Sequence, residues 1–162
     1  MKVVYLDTDV NEEMRDKVIE ALSNEGEVTF YLNSGGGKSQ FAHFIIDQIN
    51  KNKDRVTLIA TLQVASAAFR IFFYSKCKRE ILDDTEWLAH MWQMSVKMNG
   101  EKDISSVDKW RIEEMMKEEI EQEKYLKVLW VSKKNRKLFL KWYDIYFGTK
   151  QLRKMLKKSE NS

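Results

Sequence analysis

The most apolar stretch of the chain, Val56 to Tyr74, changes its period midway. It is about as long as a membrane span, but Thr57, Thr61, Gln63, Ser66 and Arg70 interrupt it. A buried strand followed by a buried helix satisfies both observations, and a membrane helix satisfies neither. A chain that buries a strand and the helix after it needs further layers around them, and the flanking sequence supplies these.

Lys2 to Leu6 reads as a short buried strand, and Asp7-Thr8-Asp9 as a turn. Asn11 is an N-cap for a helix reaching about Ser23, with Met14, Val18 and Leu22 on one face. Asn24-Glu25-Gly26 stops that helix. Val28 to Leu32 is the second strand. A helix from Ser39 to about Asn50 follows, with Phe41, Phe44, Ile45 and Ile49 as its inner stripe. Val56 to Thr61 is the third strand, and Ser66 to Lys76 a helix apolar on most faces. Arg79 to Leu82 and Glu86 to His90 are paired short strands around an Asp83-Asp84 turn. This alternation predicts an α/β fold with a largely parallel sheet. From about Val107 to Trp142 the pattern is helical, with Ile112, Met115, Met116 and Ile120 sharing one face. Such a segment is expected to leave the core and return. Gly148 punctuates it, a last helix runs to about Lys157, and 159–162 should fray. No repeat or linker marks a second domain, so a single domain over 1–158 is expected.

Composition narrows the function classes. The 162 residues and a 43% hydrophobic content suffice for one packed core. The single cysteine, Cys77, excludes an internal disulfide and a cysteine-based zinc site, and suits a reducing compartment. No signal peptide is visible at Met1. The net charge of +3 is unevenly placed. Six glutamates lie between Glu113 and Glu123, and ten Lys or Arg against one acid lie between Lys133 and Lys158. A basic terminal segment suits nucleic acid. It equally suits a solvated helix face or a partner for the glutamates.

Three pieces carry chemistry. Asn33-Ser34-Gly35-Gly36-Gly37 follows a strand and opens a helix. Gly36-Gly37-Lys38-Ser39 looks like the end of a phosphate-binding loop, but that motif needs a glycine where Leu32 stands. The other readings are a plain tight turn, or an oxyanion hole built from backbone N–H groups that glycine leaves accessible. Ser66 sits at a strand-to-helix junction among Ala65, Ala67 and Ala68. There the helix dipole favours developing negative charge, and small neighbours admit a substrate backbone. As a bland alternative, Ser66 is a helix cap. His90 ends the apolar stretch Trp87-Leu88-Ala89 and can serve as a base for Ser66. His43, the other histidine, lies mid-helix with no serine partner in view. A triad also needs an acid, for which Asp83, Asp84 and Asp144 are candidates. Asp144 is the lone carboxylate in a basic, aromatic stretch.

The order and spacing of these pieces resemble the proteolytic subunit of the Clp protease, a self-compartmentalised serine peptidase. The family's Asn-Ser-Pro-Gly-Gly motif is similar to Asn33-Ser34-Gly35-Gly36-Gly37, and the interval from Gly37 to Ser66 matches. Val64-Ala65-Ser66-Ala67-Ala68-Phe69 resembles its nucleophile elbow, and His90 its histidine. Asp144-Ile145-Tyr146-Phe147-Gly148-Thr149 resembles the segment that begins with its aspartate. The resemblance implies the superhelical ββα fold shared with crotonases, with 107–142 as the helical handle, and assembly into homo-oligomeric rings. It implies peptide-bond hydrolysis of polypeptide substrates in the cytoplasm, without cofactor, metal or membrane. It assigns Ser66 as nucleophile, His90 as base and Asp144 as the third member. Gly37 and Ala67 become the oxyanion hole, with Gly35 and Gly36 in the substrate-binding loop.

The chain also departs from the family. Gly35 replaces its proline, and Gln93-Met94-Ser95-Val96 stands where a glycine-rich strand lines substrate. The family partners an AAA+ unfoldase through an N-terminal segment that forms axial loops. This sequence begins at the first strand, which counts against such coupling without removing an AAA+ unfoldase from the possible partners. Two rival readings remain: a non-catalytic relative that keeps the fold as an assembly scaffold, and a nucleic-acid-binding module using the basic C-terminal segment.

Overall fold

The computed structural model describes residues 1–89 and 145–160. Their elements run β1 (Lys2–Leu6), α1 (Glu12–Leu22), β2 (Val28–Ser34), α2 (Ser39–Lys51), β3 (Val56–Ala65), α3 (Ser66–Tyr74), β4 (Lys78–Ile81), β5 (Glu86–Ala89), β6 (Ile145–Phe147) and α4 (Thr149–Glu160). The expected α/β architecture is present. One sheet runs β1-β2-β3-β5-β6, with β4 also on β3, and only β6 is antiparallel. Among the described residues no helix is long and apolar enough to cross a membrane.

Local chemistry accounts for the elements. Asn11 caps α1, its Oδ1 accepting from the Met14 N–H at 3.1 Å. Gly26, at φ +104, supplies the left-handed turn after that helix. Along β1, β2 and the first half of β3, burial alternates with period two. These strands therefore bury one face. Val28, Phe30, Leu32, Leu58 and Ala60 meet Met14, Val18, Ile45, Ile49, Ile71 and Phe72 in one core. On the other face Tyr5 stacks on Tyr31 with ring centroids 5.3 Å apart. Helix α3 has every residue from Ala67 to Phe73 buried, as its composition predicts.

Three expectations need correction. The stripe of α2 is Ala42, Ile45 and Ile49, and Phe44 is partly exposed. The i, i+3, i+7 row seats the smaller alanine against the sheet and turns Phe44 to the edge. The short strands β4 and β5 do not pair with each other. Both lie parallel to β3, β4 along Thr57–Ala60 and β5 along Gln63–Ala65. The link between them is pinned to one carbonyl of β3: Ala60 O accepts from Leu82 N at 3.2 Å and from Thr85 Oγ at 3.3 Å. Finally, α4 continues to Glu160, past its expected end near Lys157. The helical segment expected at 107–142 lies outside the described residues.

Candidate active site

The parallel strands β2, β3 and β5 deliver their C-terminal ends to one edge. Ser34 pairs with Val64, and Ala65 pairs with Leu88. The residues that follow these ends are the glycine loop, Ser66 and His90. In open parallel sheets this edge is where ligands bind, because loops leave the strands there and helix N-termini point into it.

A bulge in β3 makes this alignment possible. Leu32 pairs with Ala60 and Ser34 with Val64, so two steps along β2 span four along β3. The surplus is absorbed at Leu62, a leucine at φ 39. The Asn33 side chain then substitutes for ladder pairing by accepting the Gln63 N–H at 3.2 Å. Thr61 Oγ donates to the Leu32 carbonyl at 3.3 Å. The strand is re-aimed just where β4 hands over to β5.

Ser66 is the second strained residue. Ala65 is extended, at φ −128 and ψ 154, and Ser66, the first residue of α3, follows at φ 53. A left-handed conformation in a non-glycine residue costs roughly 1–3 kcal/mol and persists only where its surroundings enforce it. The sharp strand-to-helix turn leaves Ser66 half-buried above a buried helix. Ala67 is the second residue of α3, so its N–H has no acceptor within the helix.

The glycine loop lies directly on this turn. A Cβ added at Gly36, which sits at φ +111, would lie 2.5 Å from Ser66 Cβ and 3.0 Å from Ser66 Oγ. Only glycine lets the loop approach so closely. Gly37, at φ +147, pairs with Val10 as an isolated parallel bridge, and a Cβ there would lie 2.5 Å from the Val10 carbonyl oxygen. Val10 N donates to Gly36 O at 2.7 Å, and Lys38 N donates to Val10 O at 2.8 Å. In such a parallel pattern the N–H of Gly37 itself points away from Val10. Gly35 is exposed and unconstrained: a Cβ there would make only an ordinary 3.6 Å contact with Gln63 Oε1.

His90 and Asp144 lie outside the described residues, as do Gln93 to Val96. Their chain neighbours are described. Strand β6 is antiparallel to β5, and Ala89 pairs with Ile145. Helix α4 anchors that pair. Thr149 Oγ accepts from Trp87 Nε1 at 3.3 Å and donates to the Asp83 carbonyl at 3.1 Å, with Thr85 O at 3.3 Å. Trp87 packs on Phe69 and Phe72 of α3. Asp83 accepts from Arg153 Nη2 at 2.9 Å, which gives this exposed acid a structural partner in α4. His43 is exposed on α2.

Sequence reasoning missed three contributors. The first is β6, whose three residues carry too little pattern to read. The second is Leu62, whose backbone contradicts its residue type. The third is the Ser34 side chain, 4% exposed, whose Oγ accepts the Gly36 N–H at 3.2 Å. Cys77 stands apart from the site. Burial pushes its thiol up to about 11, against a smaller opposing pull from Arg79.

No curated protein matches the chain. Among solved structures, a mutant of ClpP1 from Listeria monocytogenes is similar in fold, with a TM-score of 0.62. It is 17% identical, over 95% of this chain and 86% of that one. The family model for Clp protease matches residues 1–129, a span holding the glycine loop, the strained serine and the bulged strand that joins them. By that match the chain belongs to the Clp protease family.

Proposed function

We propose that the chain is a serine endopeptidase of Clp type, acting on polypeptides. Ser66 attacks the scissile carbonyl. His90 takes the serine proton and returns it to the leaving amine, and Asp144 holds the imidazole in the required tautomer. The N–H groups of Gly37 and Ala67 receive the oxyanion. The observation that carries this reading is the left-handed Ser66 at the end of β3, with Gly36 packed against it. A serine serving only as a helix cap has no need of that conformation or of a glycine loop at that distance. The Ala89–Ile145 pair adds support: His90 and Asp144 are each one peptide bond from a member of it.

The proposal extends to a single Clp-like domain over 1–158 that assembles as a homo-oligomer through 107–142, in the cytoplasm and without a cofactor. A fluorophosphonate probe tests the chemistry. The folded protein should be labelled at Ser66, and neither Ser66→Ala nor heat-denatured protein should react. A folded, assembled protein that resists the probe and leaves peptides intact would instead be a scaffold. Light scattering tests assembly, and a monodisperse 19.3 kDa monomer at high concentration would refute it.

A further inference from the structure

We infer that Ser34 is a positioning residue that aims the oxyanion donor at Gly37; this rests on the peptidase reading above. Ser34 is the last residue of β2 and is held at two levels. Its backbone pairs with Val64, two residues before Ser66. Its buried hydroxyl turns back on the loop. Oγ accepts the Gly36 N–H at 3.2 Å and reaches the Gly36 carbonyl oxygen at 3.5 Å, the weaker of the two contacts.

The consequence follows from peptide geometry. The Gly36 carbonyl and the Gly37 N–H belong to one planar, trans peptide unit, so they point in opposite directions. Whatever fixes the carbonyl fixes the N–H. The carbonyl is held by Val10 N at 2.7 Å and by Ser34 Oγ. The preceding N–H of Gly36 is absorbed by the same hydroxyl. One side chain thus ties down both polar groups of a glycine that has no side chain to restrict it. Without that tie, Gly36 at φ +111 has neighbouring backbone wells open to it. With only the Val10 bond left on its carbonyl, the peptide can tilt about that contact and carry the Gly37 N–H off target. Ser34 also removes the Gly36 N–H from competition with that of Gly37.

An isosteric pair tests this. Ser34→Thr keeps a hydroxyl and Ser34→Val removes it, with the same shape in both. Two readouts apply to short-peptide hydrolysis: kcat against KM, and the inhibition constant of a peptide boronate, whose tetrahedral adduct presents an oxygen to the oxyanion site. Ser34→Val should lose about tenfold in kcat and in boronate affinity relative to Ser34→Thr, with KM within about twofold. That is short of the roughly 10²- to 10³-fold that outright loss of an oxyanion donor costs. Equal kcat and boronate affinity in the two variants would overturn the inference, as would a loss carried wholly by KM. Should Ser34→Val fail to fold, Ser34→Ala replaces it against the same Ser34→Thr reference. A wild-type protein that forms no boronate adduct and hydrolyses no peptide defeats the peptidase reading instead.

Discussion

The two halves of β3 obey different rules. From Val56 to Thr61 the strand is regular, alternates buried and half-buried positions, and is paired on both sides by β2 and β4. From Leu62 to Ala65 it starts with a left-handed leucine, skips register against β2 and changes partner to β5. The first half stabilises the sheet. The second half accepts strain in order to deliver Ser66 beside the glycine loop. Within ten residues the chain moves from optimising burial to optimising placement, which is how functional sites depart from local preference.

The largest expected effect belongs to the delivered site. Asp144→Asn should cut peptide hydrolysis by something like 10⁴-fold while the fold persists. Asp83→Asn and Asp84→Asn should stay near wild type, because Asp83 is already engaged by Arg153 at the surface. Steady-state rates of the three variants on one peptide decide the assignment. If Asp144→Asn matches wild type, either the acid is another residue or the site is a Ser–His dyad.

Next comes the regular half. Leu58 is fully buried at the centre of β3. Leu58→Ala should destabilise by about 2–5 kcal/mol, read from the urea midpoint. A smaller loss would mean that the core can collapse around the cavity and that the first half is less committed to stability than its burial suggests.

Adjacent glycines give a finer contrast. Gly36→Ala should cost roughly 1–3 kcal/mol and abolish probe labelling, since its methyl would overlap Ser66. Gly35→Ala should leave both readouts near wild type, because only Gln63 lies near and at an ordinary distance. Equal effects at the two positions would break the claim that the loop is fitted to the serine.

The smallest effect sharpens the comparison most. Leu62→Gly should stabilise the protein, or at worst be neutral, within about 1 kcal/mol. Leu62 is 69% exposed, so little burial is lost when a left-handed strain is relieved. The urea midpoint again reads the outcome. A clear destabilisation would show that the leucine side chain supports the bulge.

The same contrast explains what could be read in advance. Elements whose residues follow their own preferences were legible: β1, the Asn11-capped α1, β2, the regular half of β3 and the largely apolar α3. The glycine loop and Ser66 were legible as types, since glycine and a serine among alanines are unusual after buried strands. Leu62 was not, because a leucine at positive φ runs against its propensity and is enforced by Asn33 and Thr61 from outside. Nor was the partnering of β4 and β5 with β3, which depends on that bulge. A turn of Asp83-Asp84 between short strands reads as a hairpin, and only the hold of Ala60 on Leu82 and Thr85 makes it a step along a third strand. The β6 strand needed Trp87 and Thr149, 62 residues apart, to meet.

Cys77 gives the molecule a built-in gauge of its own breathing. The only thiol of the chain is buried where α3 meets β4, and its ionisation is suppressed at neutral pH. A thiol reagent therefore meets it chiefly when that junction opens. The pace of alkylation in the native protein reports how often the helix beneath Ser66 parts from the sheet, with no label introduced and no residue of the candidate site altered.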